Sequence, residues 1–536
     1  MTRFRVLTLT AGLALLGVLA VTFAPAIGQA PKSGGILNVW HRENPPSLSI
    51  HEEATISTVL PMSACYNNLV LFDPLKKQES EATIIPELAE KWSWQDGGRT
   101  LVFFLRKDVK WHDGQLFTAK DVKYTFDVVR AAPDAPAKLR VNPRKGWYDN
   151  VVSIDAPDAY TVLFRLKRPQ PSLLMMLASG YSPVYPAHVP PAEIRNRCVG
   201  TGPFKVKDYR QGEVLDLVKN PDYFVKGRPY LDGIRYIIVK ERGTAVAAIQ
   251  TGRIDVGFPG EVSKAASESL KAAVPQLVVT VANQNVNDNL ILNIRRLPFD
   301  NPKVRKAISL AVDRRAYIKA VHQGGALPGA SMAPKPFGVW GILEKDLNQL
   351  PGYGDPAKDK AEAKKLLAEA GFGPGNPLKV EMGTRAIAIY VDFASFIVDQ
   401  LKQVGVEATL KQIETGVWHP MVTRREYHMG TNLTGIGPDD PDANFYENYR
   451  CGSPRNYTDY CSELVDSMMD KQSAELDPKK RLQLVYDIQK KLEEEAARPM
   501  MGWRVDYFTH WPYVKNLIPH QSIYNYWRMQ EVWLDK

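Results

Sequence analysis

Residues 378–413 read LKVEMGTRAIAIYVDFASFIVDQLKQVGVEATLKQI. Leu378 to Met382 alternates apolar and polar side chains, the period of a strand. From about Tyr390 to Val404 the apolar residues recur at helical spacing, and Val406 to Ile413 reads as a second strand. A strand, a helix and a strand of this length predict a right-handed parallel crossover, and with it an α/β sheet. Gly383-Thr384-Arg385 stands just past the end of the first strand, near the start of the helix. In open α/β sheets ligands lie beyond strand carboxyl ends and beside helix amino ends. An arginine at such a place suits a carboxylate, which it holds by two parallel bonds. A surface arginine or a structural ion pair fits the same spacing.

The rest of the chain is consistent with a large globular protein. Its 536 residues exceed one ordinary core, so two to four domains are expected. With 44% hydrophobic, 24% charged and 10% aromatic residues, the composition excludes disorder, collagen and coiled coil. The formal net charge of +9 is spread along the sequence. No basic patch with interleaved stacking aromatics marks a nucleic-acid surface, so none is expected.

The amino end reads as a targeting segment. Arg3 and Arg5 make a positive start, Val6 to Phe23 is apolar, and Gly28-Gln29-Ala30 has small-x-small spacing. This predicts a secretory signal over residues 1–30, cut after Ala30; an uncleaved anchor is the alternative. Export places the chain in an oxidising compartment, the periplasm. Of the four cysteines, Cys451 and Cys461 lie ten apart in a polar loop and are the expected disulfide. Cys65 and Cys198 are far apart in sequence, and their pairing is left open.

Start and stop signals locate further elements. Ile36–Trp40, Thr100–Leu105, Val162–Leu166, Val214–Val218 and Tyr236–Val239 read as strands. Thr118 with Asp121 makes a capping-box start, and Asn301-Pro302, Asp355-Pro356 and Asp477-Pro478 open helices in the second half. No repeat or linker separates the domains, so interlocked rather than beaded domains are expected.

Catalytic signatures are missing. The sequence has no P-loop, no G-x-G-x-x-G, no H-E-x-x-H and no G-x-S-x-G. The nine histidines are isolated; His112 beside the Asp113-Gly114 turn reads as a turn-ordering residue, and His419 with His428 lacks a third ligand. The expectation is therefore no enzyme, no metal and no cofactor. Gly435-Ile436-Gly437-Pro438-Asp439-Asp440-Pro441-Asp442 is a second candidate for recognition. Its carboxylates suit a ligand amine, and they equally suit capping a helix that begins near Ala443. Trp340, Trp418 and Trp503 lie near loops, where an indole can stack on a ligand or simply pack.

Four collinear motifs carry a family resemblance. The first runs from Pro86-Glu87-Leu88-Ala89-Glu90-Lys91-Trp92 through Trp111-His112-Asp113-Gly114 to Asp121-Val122. The second is Gly200-Thr201-Gly202-Pro203-Phe204 leading to Asn220-Pro221-Asp222-Tyr223-Phe224. Gly252-Arg253-Ile254-Asp255-Val256 is the third, and Asn293 with Pro298-Phe299 and Val304 to Arg314 is the fourth. With these the chain resembles the extracytoplasmic solute-binding proteins of the peptide/nickel type, family 5, which are receptors of ABC importers.

The resemblance implies a two-lobed type II, cluster C periplasmic-binding-protein fold with a ligand cleft. Lobe 1 would comprise residues 31–57, 197–284 and 500–536, an added subdomain residues 58–196, and lobe 2 residues 285–499. Function would be capture of a peptide or peptide-like solute and delivery to a membrane permease by a monomer, with no bond broken. A non-peptide solute on the same fold and a secreted hydrolase are the alternatives. Arg385 matches the place where dipeptide-binding relatives hold the ligand carboxylate. The Asp that takes the amine in a Trp-x-x-Asp pattern falls on Gly437, which leaves Asp439 or Asp440 as substitutes. Trp340 and Trp418 complete the expected ligand-binding set.

Overall fold

The computed structural model describes residues 30–536, so the expected signal segment lies outside the described residues except for its last position. Among the described residues no helix is long and apolar enough to cross a membrane.

One lobe is built on a four-stranded sheet in the order Ile36–His41, Gly233–Ile238, Val214–Lys219, Phe204–Arg210. The first two strands are parallel and the others antiparallel. Val39, Leu215, Ile234 and Tyr236 are buried from this sheet. An antiparallel sheet of Ala89–Gln95, Thr100–Leu105, Thr161–Leu166 and Val151–Asp158 forms the added subdomain. The helix Ala119–Val129, opened by the Thr118/Asp121 capping box, packs Phe126 against Phe164 of that sheet. Phe103, Phe126 and Phe164 belong to the same apolar cluster as Val39 and Ile234, so subdomain and lobe share one core.

The other lobe carries a six-stranded sheet: Ala326–Leu327, Met500–His510, Val278–Leu292, Met429–Gly435, Leu378–Arg385, Val406–Ile413. The predicted crossover is there: Leu378–Arg385 pairs in parallel with Val406–Ile413, with the helix Ala388–Lys402 between them. The helix buries Tyr390, Phe393, Ala394, Ile397 and Leu401, one face at three-to-four spacing. Each large apolar side chain so buried contributes about 1.5–3 kcal/mol. The left-handed turn at Gly405, φ 87°, brings the chain from helix to strand. The strand is longer than the sequence suggested, and Arg385 is its last residue rather than a loop residue.

Two strands serve both lobes. Val278–Asn283 pairs with Val505–His510, while Val286–Leu292 pairs with Met429–Gly435 of the other lobe. Between the halves the ladder with Met500–His510 shifts register from Asn283 to Asn287, and Asn285 has φ 49°. Val256 bridges Val39 on one side and His510 on the other, which links the two sheets.

Both cysteine pairs are disulfides, Cys451–Cys461 and also Cys65–Cys198, and no described cysteine is free. Cys65–Cys198 closes a span of 133 residues and Cys451–Cys461 one of 10. Chain-entropy arguments give about 5 kcal/mol for the first and about 3 kcal/mol for the second. We expect Cys65→Ser/Cys198→Ser to lower the calorimetric melting temperature more than Cys451→Ser/Cys461→Ser; the reverse order would contradict the entropic account.

Candidate functional site

Arg385 is delivered to the space between the lobes by the strand that ends on it. There it is 2% exposed. Its Nη2 donates to Glu43 Oε1 at 2.7 Å and to Thr415 Oγ1 at 2.8 Å, and its Nη1 to the Tyr390 hydroxyl at 2.7 Å. Glu43 comes from the other lobe, two residues past the end of the Ile36–His41 strand. Its carboxylate also accepts from Ser57 Oγ and from Thr415 Oγ1, both at 2.5 Å. Two strand ends, one from each lobe, thus meet as a buried ion pair.

The electrostatics follow from the geometry. Burial alone would raise the pKa of Glu43. The Arg385 and Arg42 guanidiniums, with the Ser57 and Thr415 hydroxyls, outweigh it and hold the carboxyl below its ordinary value. Burial likewise opposes the charge on Arg385, and Tyr390 and Glu43 hold its pKa above the ordinary value. Neighbouring Glu53, 5% exposed, is pushed up to about 8, first by burial. His419, also beside the space, lies well below its ordinary value through burial and then through Arg385, Arg455, Arg144 and Arg42. It is therefore neutral at pH 7.

Arg42, Thr55, Gln284, Arg385, His419 and Tyr524 line a small space of about 30 Å³ between the lobes. That is room for a water or two, so this is a closed form, and a solute enters only when the lobes part. Other bonds cross the same closure: Trp147 Nε1 donates to Ala443 O at 2.8 Å, and Ser172 Oγ to Asp442 Oδ2 at 2.6 Å.

A family profile described as "Bacterial extracellular solute-binding proteins, family 5 Middle" matches residues 83–456, well over half of the chain. The chain belongs to this solute-binding family. Among relatives, a probable di/tripeptide-binding protein 5 of Pseudomonas aeruginosa is 25% identical over 521 residues, covering 90% of this chain and 92% of the relative. The oligopeptide-binding protein AppA of Bacillus subtilis is 27% identical over 462 residues, covering 80% and 79%. A periplasmic binding protein DppA from Helicobacter pylori, solved with the peptide STSA, matches with TM-score 0.82 at 24% identity, covering 94% of this chain and 99% of that one. At that identity the match establishes the fold, the two-lobed one expected.

Within this solute-binding protein the acidic loop is committed internally. Asp440 is the N-cap of the helix Pro441–Asn448, accepting from Asp442 N at 2.8 Å, and it pairs with Arg481 at 3.0 Å. Asp439 Oδ2 accepts from Val339 N at 3.1 Å and from Gln521 Nε2 at 3.0 Å. Trp340 Nε1 donates to Asp439 O at 3.0 Å, so that indole braces the loop. A Cβ on Gly437 would stand 2.7 Å from Ser179 Oγ and 2.8 Å from the Trp147 ring, so only glycine lets the lobes meet there. Trp418 corrects the expectation of a stacking residue. It is wholly buried among Ile291, Ile413, Val422 and Tyr427, with Gly383 and Gly430 against its ring. Trp503 is also core, bonded to Ala330 O at 2.8 Å.

One group among the described residues has ligand atoms close enough for a metal: Cys65, His112 and Cys198. Both sulfurs are spent in the disulfide, and His112 bonds Gly202 O at 3.0 Å and Gly200 N at 3.3 Å. It orders the turn. Glu43, Ser57 and Thr415 were missed by sequence reasoning. The strand-end rule that selected Arg385 would have found Glu43 had it been applied to the Ile36–His41 strand.

Removing one partner of a buried pair leaves an uncompensated charge, at a cost of about 3–5 kcal/mol. Glu43→Ala should therefore open the protein in the absence of solute, seen as a larger radius of gyration by small-angle scattering; an unchanged radius would count against the pair as a closure contact. Because the folded pKa of Glu43 is lowered, its contribution is present above the unfolded value and is lost as pH falls through the lowered one. Asp439 has the opposite sign: burial first pushes it up to about 7, so the native protein loses stability as pH rises from about 4 towards 7. Asp439→Asn should then raise the melting temperature at pH 8 by more than at pH 5. Equal shifts at both pH values would show that Asp439 is not held as described.

Proposed function

We propose that this chain is an extracytoplasmic receptor of an ABC importer, which closes on a peptide or peptide-like solute and hands it unchanged to a membrane permease. The observation that carries this reading is the grip of Arg385, Tyr390 and Thr415 on a carboxylate at the join of the lobes. In the closed form that carboxylate is Glu43; in the receptor cycle a solute carboxylate takes its place on Arg385. Differential binding to the closed form is what drives closure. The names of the relatives, di/tripeptide-binding and oligopeptide-binding, support a peptide class. The proposed division is residues 31–57, 197–284 and 500–536 for lobe 1, 58–196 for its subdomain and 285–499 for lobe 2, with Met500–Arg504 still paired into the lobe 2 strands. The register shift between Asn283 and Asn287 supports the boundary at 284/285.

A second reading, a non-peptide organic acid, is favoured by the acidic loop. Asp440 is engaged by its own chain, Asp439 is engaged through Oδ2 while its Oδ1 has no partner, and Gly437 offers no carboxylate to an α-amine. A solved relative, AgaA, is recorded in complex with agropinic acid.

Native mass spectrometry of the purified protein should reveal a bound solute whose mass is unchanged after incubation. A charge-assisted bond is worth about 1.5–3 kcal/mol, so Arg385→Ala should weaken a carboxylate-bearing solute by roughly 10- to 100-fold in calorimetry. Affinity that survives the substitution would remove Arg385 from the site, and a steady change in solute mass would replace the receptor with an enzyme.

A further inference from the structure

Most of the buried arginines described where the lobes meet are matched by a carboxylate. Arg385 has Glu43, Arg42 has Glu261 at 3.0 Å, and Arg504 has Asp288 at 3.3 Å. Arg144, Arg455 and Arg498 are the exception, at 1, 2 and 3% exposure. Among the described residues Glu447 is the one carboxylate paired with this trio. Its Oε1 lies 2.7 Å from Arg455 and 3.3 Å from Arg144. Arg498 bonds only neutral groups: Thr434 Oγ1, Asn448 Oδ1 and the carbonyl of Arg455. Three guanidiniums therefore share one carboxylate away from solvent.

Arg144 is the least satisfied of the three. None of its three guanidinium nitrogens has a hydrogen-bond partner, and both ring nitrogens of nearby His419 also lack one. The Arg144 guanidinium lies 3.6 Å from the centre of the Tyr181 ring. That stacking satisfies the face of the guanidinium, and its N–H edge has only a share in Glu447, whose Oε1 lies 3.3 Å from Nη1 and closer, at 2.7 Å, to Arg455. Arginine cannot shed its proton to escape burial, so three guanidiniums on one carboxylate favour a further anion. Arg144 belongs to the subdomain side and Arg455 to the opposite lobe, which makes the anion's seat a product of closure.

We propose that the solute is acidic: besides the carboxylate taken by Arg385, it carries a second anionic group that pairs with the unbonded edge of Arg144, beside the Glu447 carboxylate that Arg144 shares with Arg455. This rests on the receptor reading above and names the class of solute, an acidic peptide. Neutral His419 stands beside it as a further hydrogen-bonding partner.

The test is calorimetric titration of the purified full chain with Glu-Glu, Ala-Ala, Lys-Lys and glutarate. Glu-Glu should bind at least ~10-fold tighter than Ala-Ala, and Lys-Lys more weakly than either. Arg144→Gln should bring the ratio of Glu-Glu to Ala-Ala affinity close to one. Arg455→Lys, which keeps the charge and loses the fork, should lower the same ratio if Arg144→Gln fails to fold. Equal affinity for Glu-Glu and Ala-Ala, or a preference for Lys-Lys, overturns the acid requirement and leaves the peptide reading in place. Binding of glutarate without any dipeptide keeps the acid requirement and overturns the peptide reading. Binding of none of the four overturns the inference.

Discussion

Taking a guanidinium out of water is costly unless a carboxylate and further acceptors replace what water supplied. Arg385 meets that demand with a carboxylate from the opposite lobe and hydroxyls from its own. The rest of the interlobe region follows from this requirement. The strand must end on residue 385 to place the side chain, the crossover helix must begin at once to bring Tyr390 under it, and Glu43 must leave its own strand end facing back. Each partner also neutralises the other. Glu43 stays ionised because Arg385 is near, and Tyr390 and then Glu43 hold the pKa of Arg385 above its ordinary value. A solute that enters must offer at least as good a partner as the chain already provides.

Much of this was legible in the sequence where local rules agree with one another. The crossover at 378–413 declared itself because strand and helix periods follow in turn, and the strand-end rule then placed Arg385 at the join. The helix starts at Asn301, Asp355 and Asp477 are all used as caps. The acidic loop was ambiguous because capping and ligand binding require the same residue types. Asp440 resolved it by accepting from Asp442 N at the mouth of a helix.

What was not legible shares one physical cause: groups whose partners come from far along the chain. The strand Val278–Leu292 has no readable period because its middle, Asn283-Gln284-Asn285-Val286-Asn287-Asp288-Asn289, is polar and yet buried. Those side chains lie where the lobes join, and their partners come from distant segments, as Asn289 Nδ2 does with Thr434 Oγ1 at 2.9 Å. Trp418 was hidden in the same way. It sits near a loop in sequence, but Gly383 and Gly430 leave a slot beneath the sheet that only spatial neighbours reveal. The Arg144–Glu447–Arg455 group spans more than three hundred residues of sequence and leaves no local trace.

The interrupted ladder between Asn283 and Asn287 bears on how the protein moves. At the break the backbone of Ile436 and Asn285 has turned to each other, Ile436 N donating to Asn285 O at 3.0 Å and Asn285 Nδ2 to Ile436 O at 3.2 Å. Flexing at that point therefore sacrifices few main-chain bonds that an intact ladder would have supplied. Two adjacent antiparallel strands pass through it side by side, and a pair of parallel lines in a plane behaves as a leaf spring. Such a spring bends across its width far more readily than it shears in its own plane. Bending at that point would part the jaws along an arc that draws Glu43 away from Arg385.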